Sequence, residues 1–364
     1  MFGVRCLPLL RSSLGACGGV TLGSSVLVLG EKEKSDWTAA HAVVPSDGVK
    51  LSRKIVSPVD KTGLGLRLYQ YQSCPYCSKV RATLDYYGFS YDVVEVNPVT
   101  RTQLKAFKGY RKVPVLTSSK LEEPLKESSQ IQSILYSFLV LKNRSLENVV
   151  EMFPKHEREE GKKTVTSYPN AFFIMREGQK LTEQEMQSAR EEREWREWTD
   201  NHFIHIISPN VYRTWSEALE TFRQFDINAE WSRVFPTWER YLAIYSGAAV
   251  MFLVSKKLKK RSALVLSFIH FARCSHGITD ERKAMLDACN AFLEAKGPDR
   301  KFMGGDLPNL ADLSFYGALT SFAGCTAFKE MREQTKIGEW YDSVDEAVRE
   351  HRGAALVKAR SQQR

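Results

Sequence analysis

Leu66-Arg67-Leu68-Tyr69-Gln70-Tyr71-Gln72-Ser73-Cys74-Pro75-Tyr76-Cys77-Ser78-Lys79-Val80-Arg81-Ala82-Thr83-Leu84-Asp85-Tyr86-Tyr87-Gly88 decides how this chain folds. Its first six residues alternate apolar and polar, the pattern of a strand. Beyond the cysteines, Val80, Leu84 and Tyr87 recur at helical spacing, and Gly88 supplies a helix stop. Cys74-Pro75-Tyr76-Cys77 stands at the junction. Pro75 suits the first helical position, where it has no N–H to lose. Cys74 therefore sits at a helix start, where unpaired N–H groups and partial positive charge favour a thiolate. Cys77 lies one turn deeper, placed to resolve a disulfide or merely to pack. Zinc is the rival use of this spacing, but it needs two more ligands and the chain has no second close Cys/His pair, so no metal is expected. The plainest alternative leaves both thiols inert and buried.

Working outward, Tyr91 to Val96 reads as a second strand, and Asn97-Pro98 opens a short helix through Leu104 and Phe107. Val113 to Thr117 is a third strand, and Leu121 to Leu125 a short fourth. Glu127-Ser128-Ser129 caps a helix carrying Ile131, Ile134, Leu135, Phe138 and Leu139. The order strand, helix, strand, helix, strand, strand, helix predicts a small α/β sandwich over about 64 to 141. Pro114, at the start of a strand, must lie at an edge or replace a ladder donor. At Glu127-Ser128, a hydroxyl and free amides at a helix start suit a carboxylate, and the acidic side chain suits an amino group. Together they would hold the amino-acid end of a γ-glutamyl peptide; the alternative is a plain helix cap.

Past a polar connection at about 142 to 179, the pattern turns helical from about 180 to 352. Glu183 to Asn201 is amphipathic, with Trp195 and Trp198 expected in packing and Glu192–Arg196 spaced as an i,i+4 ion pair. Ser208-Pro209-Asn210 should break the helix that follows. Trp238 to Leu258 and Asp280 to Ala295 are further helices. Asn309 and Asp312 have the spacing of a reciprocal cap on a buried helix through Tyr316 and Leu319. Such a string implies a bundle, ending in a basic tail at 353 to 364.

Composition narrows the function classes. The 364 residues are long enough for at least two domains, and 43% hydrophobic with 26% charged residues excludes a wholly disordered chain. The net charge of +9 favours anionic partners, but it is diffuse; with no zinc-finger spacing and no stacked-aromatic motif, nucleic acid is not expected. Seven cysteines, odd and sparse, argue for a reducing compartment. The first acidic residue is Glu31, and the Arg- and Ser-bearing leader before it resembles organelle-targeting sequence. Its apolar stretch, Leu14 to Leu29, is shorter than the ~20 residues of a spanning helix, so targeting, a membrane anchor and a plain tail all stay open. Glu31 to Asp60 reads as a linker. No other run is long enough to cross a membrane: Ser255 and the basic run Lys256 to Arg261 separate Ala243 to Val254 from Ala263 to Ala272.

A Cys-Pro-Tyr-Cys domain followed by helices with an Asn-x-x-Asp cap resembles the glutathione transferase superfamily, and within it the membrane-associated prostaglandin E synthase family. The supporting strings are Leu68-Tyr69-Gln70-Tyr71, Cys77-Ser78-Lys79-Val80-Arg81, Val94-Glu95-Val96-Asn97-Pro98-Val99 and Tyr110-Arg111-Lys112-Val113-Pro114. Ile207-Ser208-Pro209-Asn210-Val211-Tyr212-Arg213-Thr214 and Phe302-Met303-Gly304-Gly305 with Pro308-Asn309-Leu310-Ala311-Asp312-Leu313 extend the resemblance over roughly 64 to 350.

The resemblance implies an α/β thioredoxin-like domain of glutaredoxin type followed by an all-α glutathione-transferase-like domain. It implies an enzyme, a homodimeric isomerase that turns the endoperoxide prostaglandin H2 into prostaglandin E2. The catalytic thiol falls on Cys74, with Tyr71 beside it. Glutathione contacts fall on Val113 through its backbone, at a Val113-Pro114 bond expected to be cis, and on Glu127 and Ser128. Haem is implied together with glutathione, whose thiolate would ligate the iron, since Ser78 stands where a haem attachment motif has His. The leader would place the chain in mitochondria or on Golgi or other endomembranes, with a processed cytoplasmic form. Two features depart from the family pattern. Glu127 stands where Asp is usual, and Ser262 to Ser275 is an apolar insertion with no counterpart. Two rival functions remain: a glutaredoxin-type thiol-disulfide oxidoreductase, which needs both Cys74 and Cys77, and a non-catalytic haem- or glutathione-binding organelle protein.

Overall fold

The computed structural model describes residues 38–41, 48–107, 109–160, 163–176, 178, 180–265 and 281–363. The leader read as a targeting segment, and the apolar insertion from residue 266 onward, lie outside the described residues.

The quoted stretch forms β3 and α1 of a five-stranded sheet. In chain order the strands are β1 (Thr38–His41), β2 (Arg53–Val56), β3 (Leu66–Gln70), β4 (Tyr91–Glu95) and β5 (Val115–Thr117), and across the sheet they run β1-β2-β4-β3-β5. β3 and β4 are parallel, as a crossover through a helix requires. That helix is α1 (Pro75–Tyr87), closed by Gly88 at φ +73°, whose N–H turns back to Leu84 and Asp85. Leu66 and Leu68 pack on the side of α1 and of α2 (Ser128–Val140), while Tyr69 joins a smaller cluster with Leu51, Val94, Val96, Leu104 and Val115.

Three local expectations need correction. Residues expected to be linker between Glu31 and Asp60 include β1 and β2, which add antiparallel strands beyond β4. β2 escapes a hydrophobic reading because Lys54 and Val56 face solvent and one inward position is Arg53. Leu121 to Leu125 makes only one bridge, Leu125 to Leu116, because Pro124 beside it has no N–H to continue a ladder. At Asn97 no helix opens. Its Oδ1 accepts from the N–H groups of Val99 and Thr100, making a turn, and the short 3-10 helix is Thr102–Phe107.

The polar connection holds more structure than its composition suggests. After α3 (Leu146–Glu151), capped by Ser145, comes the hairpin β6 (His156–Glu160) and β7 (Lys163–Ser167). The side chains described on this hairpin are exposed, so no apolar alternation marks it.

The rest is helical: α4 (Glu183–Trp198), α5 (Ile204–Val211), α6 (Trp215–Asn228), α7 (Trp231–Val234), α8 (Thr237–Val265), α9 (Glu281–Lys296), α10 (Leu310–Thr320), α11 (Thr326–Gln334), α12 (Ile337–Arg349) and α13 (Ala354–Ser361). A π-helical turn, Thr199–Phe203, joins α4 to α5. Pro209 does not break the helix as expected but lies inside α5, where buried Asn210 donates to Ile206 O at 2.8 Å and to Glu281 O at 2.9 Å. The Glu192–Arg196 ion pair is also not made. Arg196 is fully buried and donates to Phe172 O, Ser129 O and Ser133 Oγ instead. The Asn309/Asp312 capping box is present, and the Asp312 carboxylate also accepts from Met303 N, Gly304 N and Trp340 Nε1. It anchors α10, which is almost wholly buried and packs along α1. Gly317 makes that approach possible, since a Cβ there would lie 2.4 Å from Lys79 Cα. Among the described residues, no helix is long and apolar enough to cross a membrane.

Candidate active site around Cys74

Cys74 is the half-buried N-cap of α1. Its N–H bonds Tyr71 O at 3.1 Å, and its carbonyl accepts from Cys77 N at 3.0 Å and Ser78 N at 2.8 Å. Its thiol is held below the ordinary cysteine value. The largest cause is a hydrogen bond donated by the Cys77 thiol; the N–H groups of Cys77 and Tyr76 and the Arg81 cation add to it, against burial. Cys77 is fully buried, and burial together with the bond to Cys74 pushes it well up. The pair is thus divided: Cys74, half-buried, has its anionic form favoured, and buried Cys77 has its neutral form favoured. Both are free thiols.

Tyr71 flanks them. Its hydroxyl is buried and turned to Arg101 and makes no hydrogen bond to either thiol, so Cys77, not Tyr71, holds the Cys74 sulfur. Burial raises the phenol, and the nearby Arg101 guanidinium opposes that rise. Arg101 is held at φ +52°, in the left-handed region uncommon for side-chain-bearing residues.

The other predicted residues come from the loop before β5 and the start of α2. The Val113-Pro114 bond is cis, and the Val113 backbone makes no hydrogen bond among the described residues. Glu127 caps α2, with Oε2 accepting from Gln130 N at 2.7 Å. Burial raises its carboxyl, opposed by the Lys79 cation. Ser128, next in the chain, is buried at the same helix start. Tyr110 donates to Lys126 O at 3.1 Å, and its phenol, pushed up to about 12 by burial, feels both Glu127 and Cys77. It therefore bridges the helix start of α2 and the cysteine pair. From the helical side, buried Tyr212 feels the charge of Cys74.

Two buried polar clusters were not foreseen. Lys79 Nζ donates to both carboxylate oxygens of Asp200, at 2.6 Å to Oδ2, and to Ser129 Oγ at 2.5 Å. This ties α1 and the first turn of α2 to the π-turn after α4. Beneath the cysteine loop, Arg81, Gln70, Gln72, Glu95 and Arg53 form a second cluster. The sequence does hold a signal for them. Gln70 occupies the third place of the Leu66/Leu68 alternation, and Lys79 and Arg81 flank Val80 on a helix that is buried almost all round. Among the described residues, no group of three or more His, Cys, Asp or Glu is placed to hold a metal ion.

A thioredoxin-like sheet with a cis proline just before β5 and a thiol capping α1, followed by an all-helical domain, defines a protein of the glutathione transferase class. The glutathione S-transferase N-terminal domain family matches residues 68–137. The chain belongs to the prostaglandin E synthase 2 family. It is 40% identical over 298 residues to prostaglandin E synthase 2 of Mus musculus, covering 79% of this chain and 71% of that protein. It is 36% identical over 291 residues to prostaglandin E synthase 2 of Danio rerio, covering 79% and 72%. Among solved structures, glutathione S-transferase I bound with lactoylglutathione aligns over 80% of this chain and 99% of its own, at 14% identity and a TM-score of 0.42.

Proposed function

We propose that this chain isomerises prostaglandin H2 to prostaglandin E2, with Cys74 as the working thiol and glutathione bound between Val113 and Glu127. The observation that carries this reading is the divided thiol pair: one accessible, activated sulfur in a chain of this family. The residues present fit glutathione. The unpaired Val113 backbone suits its peptide portion, and the α2 start with Glu127 suits its charged amino-acid end. When bound, glutathione supplies a second thiol beside Cys74. Haem is proposed only as its companion, whose iron the glutathione thiolate would hold.

The chemistry needs one cysteine. The Cys74 thiolate attacks the endoperoxide oxygen on C9, forming an S–O bond as the O–O bond breaks. The oxygen on C11 leaves as an alkoxide and takes up a proton, becoming the hydroxyl. Loss of the C9 proton then sends its electron pair into the C9 carbonyl, and the S–O bond breaks to return the thiolate. No net oxidation occurs. The Tyr71 phenol, raised by burial, would supply the proton that the C11 oxygen takes up. The hydrogen bond from the buried Cys77 thiol favours the anionic form of Cys74. The acyl chains would lie against aromatic side chains of both domains, Tyr76 and Tyr110 on one side and Tyr212 on the other.

A homodimer and a membrane-attached location, mitochondrial or endomembrane through the leader with a processed cytoplasmic form, belong to the same proposal. What supports the dimer is an exposed apolar face on α8, with Trp238, Tyr241, Leu242 and Tyr245. The deciding experiment is product analysis with the endoperoxide, with and without reduced glutathione and haem. Prostaglandin E2 formed above the spontaneous rate supports the reading. Disulfide exchange without it points to the oxidoreductase, and neither activity to a binding protein.

A further inference from the structure

We propose that Arg81 and Glu95 are positioning residues for Cys74: acting through Gln70 and Gln72, they hold the loop that carries the thiol and fix a buried cation beneath it. This rests on Cys74 being the working thiol, and it concerns how the chain keeps that thiol ready.

Gln72, two residues before Cys74, is held at every polar atom of its backbone and at its side-chain oxygen. Its N–H donates to Glu95 Oε1 at 2.8 Å. Its carbonyl accepts from Arg81 Nη2 at 2.9 Å. Its Oε1 accepts from Arg53 Nη2 at 2.5 Å and from Gln70 Nε2 at 3.0 Å. Below it the Gln70 amide stands between the two charges. It accepts from Arg81 Nη1 at 2.5 Å and donates to Glu95 Oε2 at 3.1 Å. Arg81 Nη2 also bonds Ser78 Oγ at 2.7 Å, on the first turn after the cysteines. Arg81, Gln70 and Glu95 are 7%, 0% and 3% exposed, so this is a sealed platform and not a solvated surface network. Both Glu95 oxygens accept N–H donors, the arrangement of a carboxylate.

A platform meant only to fill space would be cheaper apolar, because each buried charge costs desolvation. Its placement offers a use. The Arg81 cation lies within electrostatic reach of both cysteines. The Glu95 carboxylate, one amide away, moderates it. Other groups bear on the same sulfur or on Arg81. Arg53 comes from β2, Tyr91 from β4, Asp85 from α1 itself, Tyr71 with Arg101 from the loops, Tyr76 from α1 and Tyr212 from the helical side. Arg53 reaches the loop only through the Gln72 side chain, whereas Arg81 and Glu95 grip the Gln72 backbone and carry opposite charges.

The opposite charges give the test. In the full-length chain, the rate of Cys74 alkylation by iodoacetamide is followed across pH by peptide mass spectrometry. Arg81→Gln should move the midpoint up by about one pH unit, and Glu95→Gln should move it down by about half to one unit, the range for removing one nearby charge. Arg81→Lys keeps the charge without the fork and should restore the midpoint most of the way. A merely structural platform would send every variant upward, toward the ordinary thiol value near ~8.5. That result, no movement in Glu95→Gln, or an Arg81→Lys midpoint displaced upward by about one full unit overturns the proposal. If Arg81→Gln fails to fold, the other two variants still decide it. The readout needs no endoperoxide turnover, so failure of the isomerase reading and failure of this one are seen separately.

Discussion

Removing one charge of the Lys79–Asp200 pair should be far more damaging than removing both. Lys79 Nζ has no solvent exposure, and the Asp200 side chain is 9% exposed. The ammonium has three donors, and Asp200 Oδ1, Asp200 Oδ2 and Ser129 Oγ use them. Lys79→Met leaves the carboxylate with only the Ser129 hydroxyl at 2.6 Å. Asp200→Asn leaves a sealed ammonium without its bonded counter-charge, with only the more distant influence of Glu127. Breaking a buried pair from one side typically costs about 3–5 kcal/mol, whereas replacing both partners is often close to neutral. Each single variant should therefore lose about 3–5 kcal/mol of unfolding free energy. The combined Lys79→Met, Asp200→Asn variant should recover most of that loss. Urea unfolding, followed separately by tryptophan fluorescence and circular dichroism, measures all three and shows whether the two domains still unfold together. A Lys79→Met protein within about 0.5 kcal/mol of the parent, the range of an ordinary surface change, would refute the reasoning. So would a double variant as unstable as the sum of the singles, because the cost would then lie in packing and not in an unpaired charge.

Three further outcomes are expected. Cys74→Ser should abolish prostaglandin E2 formation while Cys77→Ser retains a substantial part of it, measured as turnover of the endoperoxide; equal loss in both would favour the dithiol oxidoreductase. Glu127→Ala should weaken glutathione binding roughly ten- to hundredfold, from the ~1.5–3 kcal/mol of a lost charged hydrogen bond, and destabilise α2 by about 1 kcal/mol through loss of its cap; unchanged affinity by calorimetry removes Glu127 from the site. A chain begun at Gly48, which keeps β2, should partition into the soluble fraction with its thiol chemistry intact. Salt-resistant pelleting of that chain with membranes would shift suspicion to residues 262–275.

What can be read from the sequence depends on how far apart the partners lie. Cys74 is legible because its activation comes mainly from neighbours within one helical turn, and Pro75 and Gly88 mark where the helix begins and ends. Glu127 and Asn309 are legible for the same reason: a cap and the amide it serves are three residues apart. Lys79 is different. Its partner is Asp200, 121 residues away, and no local rule says that a lysine in the middle of α1 will be sealed. Arg196 shows the same blindness in reverse. Its spacing from Glu192 invites a surface ion pair, yet it is buried and bonded to backbone and hydroxyl oxygens of α2 and its surroundings. β2 hides because it lies where only one side chain in two needs to face the sheet, and one of those is Arg53.

The close approach at Gly317 bears on whether the cysteine module can be moved. A methyl at that position would meet the Lys79 backbone, with Cα at 2.4 Å and N at 2.5 Å. These are backbone atoms on the very helix that Cys74 caps, so they cannot swing aside as a side-chain tip would. The described residues belong to one compact unit, and the foundation of the thiol helix is therefore α10, more than two hundred residues further along the chain. Cut out alone, the cysteine-bearing sheet would expose the flank of α1 and leave Lys79 without Asp200. A glutaredoxin is portable, a cassette that folds wherever it is spliced. This one is bolted to its neighbour, and gene fusions or domain swaps that treat it as a cassette should yield aggregated protein.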